Sequence, residues 1–250
     1  MRVVIALACL FLCAEASALT GKAPPASGVA GRAIVMLVDR RENLCTATAI
    51  APDLVLTAAH CVMRKDDYQV QVSRGGAAVA AKFIATHPGF DARAYLASRA
   101  TADVALVKLE APLPAMIVPA ALAAPRSVNV GDRLIIAGFG VTAARSNSGL
   151  GTPRMAALAV TGRPGNLQIR LIDPATAGSR PGQFQIGLGA CTGDSGGPAF
   201  DGDAVIGVVS WSTAPQLEEG CGGMTGVTPL GLYRPWIIDQ ARKFGSPIGP

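Results

Sequence analysis

The chain has 250 residues, half of them apolar, with 29 glycines, 18 prolines and few aromatics. That length fits one large domain or two small ones, and the many turn formers favour an all-β core over a helical bundle. The formal charge of +5 is spread without any block of Lys or Arg interleaved with aromatics, which argues against nucleic-acid binding and reads as a solvated basic surface.

Residues 1–18 read as an export leader. Arg2 gives the positive end, Val3 to Leu12 the apolar run, and Ala16-Ser17-Ala18 a small-x-small cleavage site. No later run reaches the ~18 apolar residues of a spanning helix. Lipidation is disfavoured, because Leu12 is too bulky before Cys13 and Cys9 would leave almost no apolar region. Export to a periplasm or out of the cell makes Cys45, Cys61, Cys191 and Cys221 candidates for disulfides. From their positions alone three pairings are open. A zinc site is disfavoured because no Cys-x-x-Cys pair occurs.

Residues 19–33, rich in Pro, Gly and Ala, are expected along the surface. Six strands are predicted next: Ile34 to Val38, Leu44 to Ile50, Val55 to Thr57, Tyr68 to Ser73 with its period of two, Val79 to Ala85, and Val104 to Leu109. They suffice for one small barrel. Ala111 to Pro125, with its four prolines, reads as a crossing linker. Further strands are predicted at Arg133 to Gly138, Met155 to Thr161, Leu167 to Ile172, Gln183 to Ile186, Ala199-Phe200 with Ala204 to Trp211, and Gly226 to Thr228. Ala143 to Gly151 is a polar loop. The spacing of Trp236, Ile237, Ala241 and Phe244 predicts a helix over Tyr233 to Phe244, with Pro235 in its first turn.

Three stretches carry chemistry. Gly189-Ala190-Cys191-Thr192-Gly193-Asp194-Ser195-Gly196-Gly197-Pro198 offers a serine nucleophile beside a glycine whose N–H can turn toward a substrate oxygen. Leu54-Val55-Leu56-Thr57-Ala58-Ala59-His60-Cys61 offers a base. Asp103-Val104-Ala105-Leu106-Val107-Lys108-Leu109 offers a carboxylate at a strand start. These stretches, in this order, resemble those of the chymotrypsin/trypsin family of serine peptidases, in an exported, bacterial-type member, from about Ile34 to the end of the chain.

The resemblance implies two antiparallel six-stranded β-barrels with a C-terminal helix. Residues 19–118 would carry His60 and Asp103, and residues 119–250 would carry Ser195 and the helix. It implies a serine endopeptidase with Ser195 as nucleophile, His60 as general base and then acid, and Asp103 orienting the imidazole. The oxyanion hole would be the N–H groups of Gly193 and Ser195. The resemblance selects the disulfides Cys45–Cys61 and Cys191–Cys221. It makes Ser210-Trp211-Ser212 the edge on which a peptide adds as a strand, and it assigns His87, in a Thr86 to Phe90 turn, a structural part.

In the same frame the pocket base falls at Gly189 and the opposite wall at Gly226, with Ser212 narrowing the entrance. No carboxylate is placed there, so an uncharged, small to medium apolar residue is expected before the scissile bond. Glu218 and Glu219, in a long loop before Cys221, are read as solvated. No cofactor or metal is expected, since Asp66, Asp67 and Asp91 are too scattered for a calcium loop. The expected partners are a polypeptide substrate and a protein inhibitor, with no nucleic acid and no membrane span, on a monomer. Relatives are often activated by a freed α-ammonium that pairs with the Asp beside the nucleophile. Here Asp194 would pair with Leu19, exposed by the leader cut, whereas a cut at Arg32-Ala33 leaves too short an arm. Two other functions fit less well: a silent binding module on the same fold, and an exported esterase, which would want a Gly-x-Ser-x-Gly elbow.

Overall fold

The computed structural model describes residues 19–178 and 185–249; the predicted leader lies outside them. A short helix, α1 (Gly28–Ala33), leads into β1 (Ile34–Asp39), β2 (Leu44–Ala51) and β3 (Leu54–Thr57). A 3₁₀ turn (Ala59–Val62), β4 (Tyr68–Gln71), β5 (Ala78–Thr86), the small helix α2 (Ala92–Leu96) and β6 (Ala105–Leu109) complete the first half. The second half runs β7 (Arg133–Gly138), β8 (Arg154–Gly162), β9 (Ile169–Ile172), β10 (Pro198–Asp201), β11 (Ala204–Ser212), β12 (Thr225–Pro229) and α3 (Arg234–Lys243). The strands close into two antiparallel barrels, ordered β1-β2-β3-β6-β5-β4 and β10-β11-β12-β9-β8-β7.

The pattern of β1 shows how the barrels meet. All its residues are buried, so it lacks the alternation of a half-exposed strand. Val35 and Leu37 join Val55, Val70 and Val107 inside the first barrel. Ile34, Met36 and Val38 face the other way, into a core shared with Ala137, Phe139 and Phe200 of the second barrel and Ile237 and Ala241 of α3. The crossing linker is stitched between the halves by Val118 N–H to Arg32 O, Ala120 N–H to Ala49 O, and Ala123 N–H to Val205 O, each 2.9 Å.

Three local expectations change. Residues 19–33 do not simply lie along the surface: Leu19, Ala23, Ala30 and Ala33 are buried. Thr20 N–H and Oγ1 donate to Gly189 O (3.2 Å) and Gly187 O (2.7 Å). The predicted strand Gln183 to Ile186 falls partly on residues outside the described ones, and Gln185 and Ile186 join no strand. The sixth strand of the second barrel is instead β10, separated from β11 by the Asp201–Ala204 turn.

The C-terminal end is tied to the first barrel by a small polar cluster. Lys108 Nζ pairs with Asp53 and donates to Ser246 Oγ at 2.6 Å, and Ser246 Oγ donates to Asp53 Oδ1 at 2.5 Å. Burial pushes the Asp53 carboxyl up, but hydrogen bonds from Lys108 and Ser246 outweigh it and hold the group below the usual range. Ser246→Ala is expected to cost about 1 kcal/mol, because partly buried partners lose a hydrogen bond. The check is a urea titration, with a lower midpoint and an unchanged slope.

Candidate active site

Strand register brings His60 and Asp103 together. β3 pairs with β6, and Thr57 lies opposite Ala105. The residues just past the end of β3 therefore stand beside those just before β6, which are His60 and Asp103. His60 Nδ1 lies 2.8 Å from Asp103 Oδ2, and His60 N–H donates to Asp103 Oδ1 at 2.9 Å. Ser210 Oγ donates to the same carboxylate at 2.5 Å. Asp103 is buried, and the three hydrogen bonds satisfy both of its oxygens out of water. Ser210 was expected on the substrate edge; it lines the cleft, but its hydroxyl is committed to Asp103.

Ser195 arrives from the other barrel, in a turn closed by Asp194 N–H to Cys191 O and Gly197 N–H to Asp194 O, both 3.0 Å. Its carbonyl accepts from Thr46 N–H of β2 at 2.8 Å. The next residue is pressed against the histidine's turn, since a Cβ on Gly196 would overlap Thr57 Oγ1 and Thr46 O and lie 3.1 Å from Ala58 N. Two bridges hold the flanks, Cys45–Cys61 and Cys191–Cys221. His60 Nε2 lies 3.7 Å from Cys61 Sγ. Among the described residues no hydrogen bond joins Ser195 Oγ to His60 Nε2, so this is the link of the predicted triad that the structure leaves open.

Gly193 adopts φ +96°, a backbone shape that side chains resist. Its carbonyl is turned back to Thr46 Oγ1 at 2.8 Å. Among the described residues, neither the Gly193 N–H nor the Ser195 N–H has an intramolecular acceptor. Behind them Asp194 is fully buried and accepts from Gly140 N–H and Cys191 N–H at 2.8 Å each, with no cation paired to it among the described residues. Burial pushes its carboxyl up to about 7, and the two backbone hydrogen bonds only partly offset this. Leu19, the residue predicted to supply a cation, is completely buried in the core of the second barrel, with Leu134, Ile136 and Ala190.

A cavity of about 410 Å³ opens beside Ser195. Its walls include Ala190, Cys191, Thr192, Ser210, Trp211 and Ser212. Gly189 and Gly226 do not line it, contrary to expectation. The Gly189 carbonyl is taken by Thr20 N–H, and Gly187 N–H donates to Gly222 O at 2.8 Å, which zips the two segments together. Gly226 lies opposite Trp211 in the β11–β12 register, and a Cβ there would overlap the indole. Its part is to seat the tryptophan. Ser212 lines the cavity, and its hydroxyl donates to Gly220 O at 2.9 Å. Glu219, expected in solvent, is exposed and also lines the cavity, as Arg145 does.

Sequence reasoning missed two residues. Thr46 holds the nucleophile turn through the bonds above, and no motif marks it. Tyr95 of α2 stacks on the His60 ring, with centroids 4.4 Å apart and planes 10° apart. His87 makes only structural contacts, with Gly89 N–H donating to its Nδ1 at 3.0 Å and the rings of Tyr233 and Trp236 edge-on to it.

The sequence profile of the Trypsin family matches residues 21–237. The chain belongs to the Trypsin family. It is 28% identical to Trypsin epsilon of Drosophila erecta over 226 residues, 80% of this chain and 79% of that protein. It is 28% identical to human Kallikrein-15 over 231 residues, 84% of this chain and 86% of that protein. Human heparin binding protein has a similar fold, with a TM-score of 0.69 and 20% identity over 92% of this chain and 99% of that one. These relatives are animal proteins, so the family holds but the expected bacterial type finds no support. Among the described residues no helix is long and apolar enough to cross a membrane.

Gly226→Ala should displace Trp211, at a cost of about 1–3 kcal/mol typical of overpacking. A red-shifted tryptophan emission together with a lower denaturation midpoint is the expected readout.

Proposed function

We propose that the chain is an active, exported serine endopeptidase. The observation that carries this reading is Asp103 holding His60 Nδ1 at 2.8 Å, which leaves Nε2 as the acceptor on the nucleophile's side. In the reaction, Ser195 Oγ attacks the scissile carbonyl carbon as His60 takes its proton. The oxyanion is met by the N–H groups of Gly193 and Ser195, donors worth about 10²–10³ in rate each. As the C–N bond breaks, His60 returns the proton to the departing amine. Water then repeats the sequence to release the acyl group. The open Ser195–His60 link closes when substrate is bound, as such bonds commonly tighten only in the complex.

Before the scissile bond the reading is an uncharged residue of small to medium size, since the inner wall at Ala190, Cys191 and Thr192 carries no charge. Glu219 on the rim of the same cavity favours a second reading, a basic residue there. A peptide library separates the two. The family implies polypeptide substrates, and the disulfides suit an extracellular site; the relatives give a periplasmic one no support.

Ser195→Ala and His60→Ala should each lose nearly all turnover, and the double variant little more, because residues acting as a unit lose activity non-additively. Single-turnover assays on one peptide check this. Additive losses would argue that the two do not act as a unit, and a folded parent that a fluorophosphonate fails to label would favour a binding module. Turnover of small esters with no peptide cleaved would favour an esterase.

Activation is proposed to pair a Leu19 α-ammonium with Asp194, once the leader is cut after Ala18. The buried seat of Leu19 and the uncompensated carboxyl of Asp194 support this. A form extended before Leu19 lacks the ammonium. Its Asp194, raised to about 7 from an ordinary 3.8, binds a proton more tightly folded than unfolded. Stability from this group is complete below about pH 4 and is lost as pH rises through about 7. Thermal unfolding of the extended form across that window should show the loss, and Asp194→Asn should remove it. The form beginning at Leu19 should be active and lack the slope; full activity in the extended form would count against the pairing.

A further inference from the structure

We propose that the Thr46 hydroxyl is a positioning group for the oxyanion hole: by holding the Gly193 carbonyl it keeps the Gly193 and Ser195 N–H groups aimed into the cleft. The inference deepens the peptidase reading and rests on it.

A peptide N–H and the carbonyl of the residue before it point in opposite directions, because the unit is planar and trans. Each donor of the hole is therefore aimed by whatever holds the carbonyl at the back of its peptide. Four successive carbonyls of the nucleophile turn are held. Thr192 O accepts from Val141 N–H at 2.9 Å, Gly193 O from Thr46 Oγ1 at 2.8 Å, Asp194 O from Gly197 N–H at 3.0 Å, and Ser195 O from Thr46 N–H at 2.8 Å. Three of these donors are backbone groups. The one on Gly193 O is a side chain.

That carbonyl belongs to the Gly193–Asp194 peptide, which lies between the two peptides that carry the donors. Its other end, Asp194 N–H, donates to Cys191 O at 3.0 Å. With both ends bound, the plane of this peptide is fixed. With the hydroxyl gone, one anchor remains and the peptide can turn about it. Gly193 sits at the hinge with φ +96°, and it has no Cβ to restrict its dihedrals. A turn there rotates the Gly193 N–H on one side and shifts the Ser195 N–H on the other.

The direction of the hydroxyl is set by its neighbours. Phe139 N–H lies 3.0 Å from Thr46 Oγ1 and can only donate. The hydroxyl must accept there, which leaves its proton for Gly193 O. Thr46 is completely buried, so neither bond competes with bulk water. Phe139 also begins a run of three N–H groups directed at the turn. Gly140 N–H donates to Asp194 Oδ1 at 2.8 Å and Val141 N–H to Thr192 O, while Phe139 N–H reaches Gly193 O through the Thr46 hydroxyl. A valine has the shape of threonine but can make neither bond.

The test compares Thr46→Val, which removes the hydroxyl, with Thr46→Ser, which keeps it. Active enzyme is counted by fluorophosphonate titration run to its end point, and folding is checked by thermal unfolding. Thr46→Val should lower kcat about 10–100-fold with KM within about threefold of the parent, because a donor misplaced by about 1 Å costs up to about 10² in rate. Thr46→Ser should recover most of that loss. Two inhibitors separate positioning from a merely structural role. At the carbonyl carbon of a peptidyl trifluoromethyl ketone, Ser195 Oγ adds as its proton passes to His60, and the ketone oxygen becomes an oxyanion in the hole. The matching peptidyl alcohol forms no oxyanion. Thr46→Val should weaken the ketone about as much as it lowers kcat/KM, and leave the alcohol within about threefold. Where Thr46→Val does not fold, Thr46→Ala, which leaves a gap rather than a methyl against Phe139 N–H, is read in the same way. A hydroxyl-free variant with the parent's kcat overturns the inference. So does an equal loss of ketone and alcohol affinity, or a Thr46→Ser variant as slow as Thr46→Val. These outcomes leave the peptidase reading standing. A parent that is neither labelled nor able to cleave any peptide overturns that reading, and this inference with it.

Discussion

Thr46 makes three hydrogen bonds across the seam between the barrels, and the geometry of the site depends on them. Its N–H donates to Ser195 O at 2.8 Å, its hydroxyl donates to Gly193 O at 2.8 Å, and the same hydroxyl accepts from Phe139 N–H at 3.0 Å. The residue is completely buried. A buried donor or acceptor left unpaired costs about 1–3 kcal/mol, so the turn bearing the nucleophile is strongly biased toward one position relative to β2. The strand that bears Thr46 also bears Cys45, whose sulfur is bonded to the residue after His60. One short stretch of β2 thus ties the Ser195 turn to the His60 turn, although they belong to different barrels.

Asp103 and Asp194 are both buried carboxylates, and they differ in how they are satisfied. Asp103 takes three hydrogen bonds, from His60 N–H, His60 Nδ1 and Ser210 Oγ. Asp194 has two backbone donors and a desolvation cost that they do not cancel. The second arrangement is incomplete unless a cation joins it. Its backbone is continuous with Gly193 and Ser195, whose N–H groups are the free donors of the cleft. Whatever sets the charge of Asp194 therefore bears directly on the shape of the proposed oxyanion hole.

Much of this was legible in the sequence, for definable reasons. The strands of the first barrel show either continuous apolar runs or clean alternation, and the three catalytic stretches are specific enough to fix their order and neighbours. The pocket was misread because spacing along the chain does not reveal register across it. Gly226 falls where an open wall is expected, but pairing with Trp211 puts an indole over it. The α2 loop was missed because a helix of five residues has almost no intrinsic stability. Its one signal was Asp91 before Ala92-Arg93-Ala94, a cap ahead of good helix formers. The contact of Tyr95 with His60 is tertiary, and no local pattern records it.

The histidine is the most constrained group in the cleft. Asp103 holds one edge of its ring through Nδ1, the backbone N–H of His60 is bound to the same carboxylate, and Tyr95 covers a face. Asp103 and Tyr95 both belong to the first barrel, so the imidazole is oriented from its own side of the seam. Ser195 is oriented from the other side, through Thr46 and the packing of Gly196 against Thr57 and Ala58. The Ser195–His60 link therefore spans the seam between the barrels, as the Thr46–Ser195 and Ser210–Asp103 hydrogen bonds do. A peptide added along Ser210–Ser212, as proposed, would touch both sides at once, through the strand edge and through the cavity beside Ser195. Its binding energy would then be spent on closing that gap, so that a poor fit costs turnover as well as affinity.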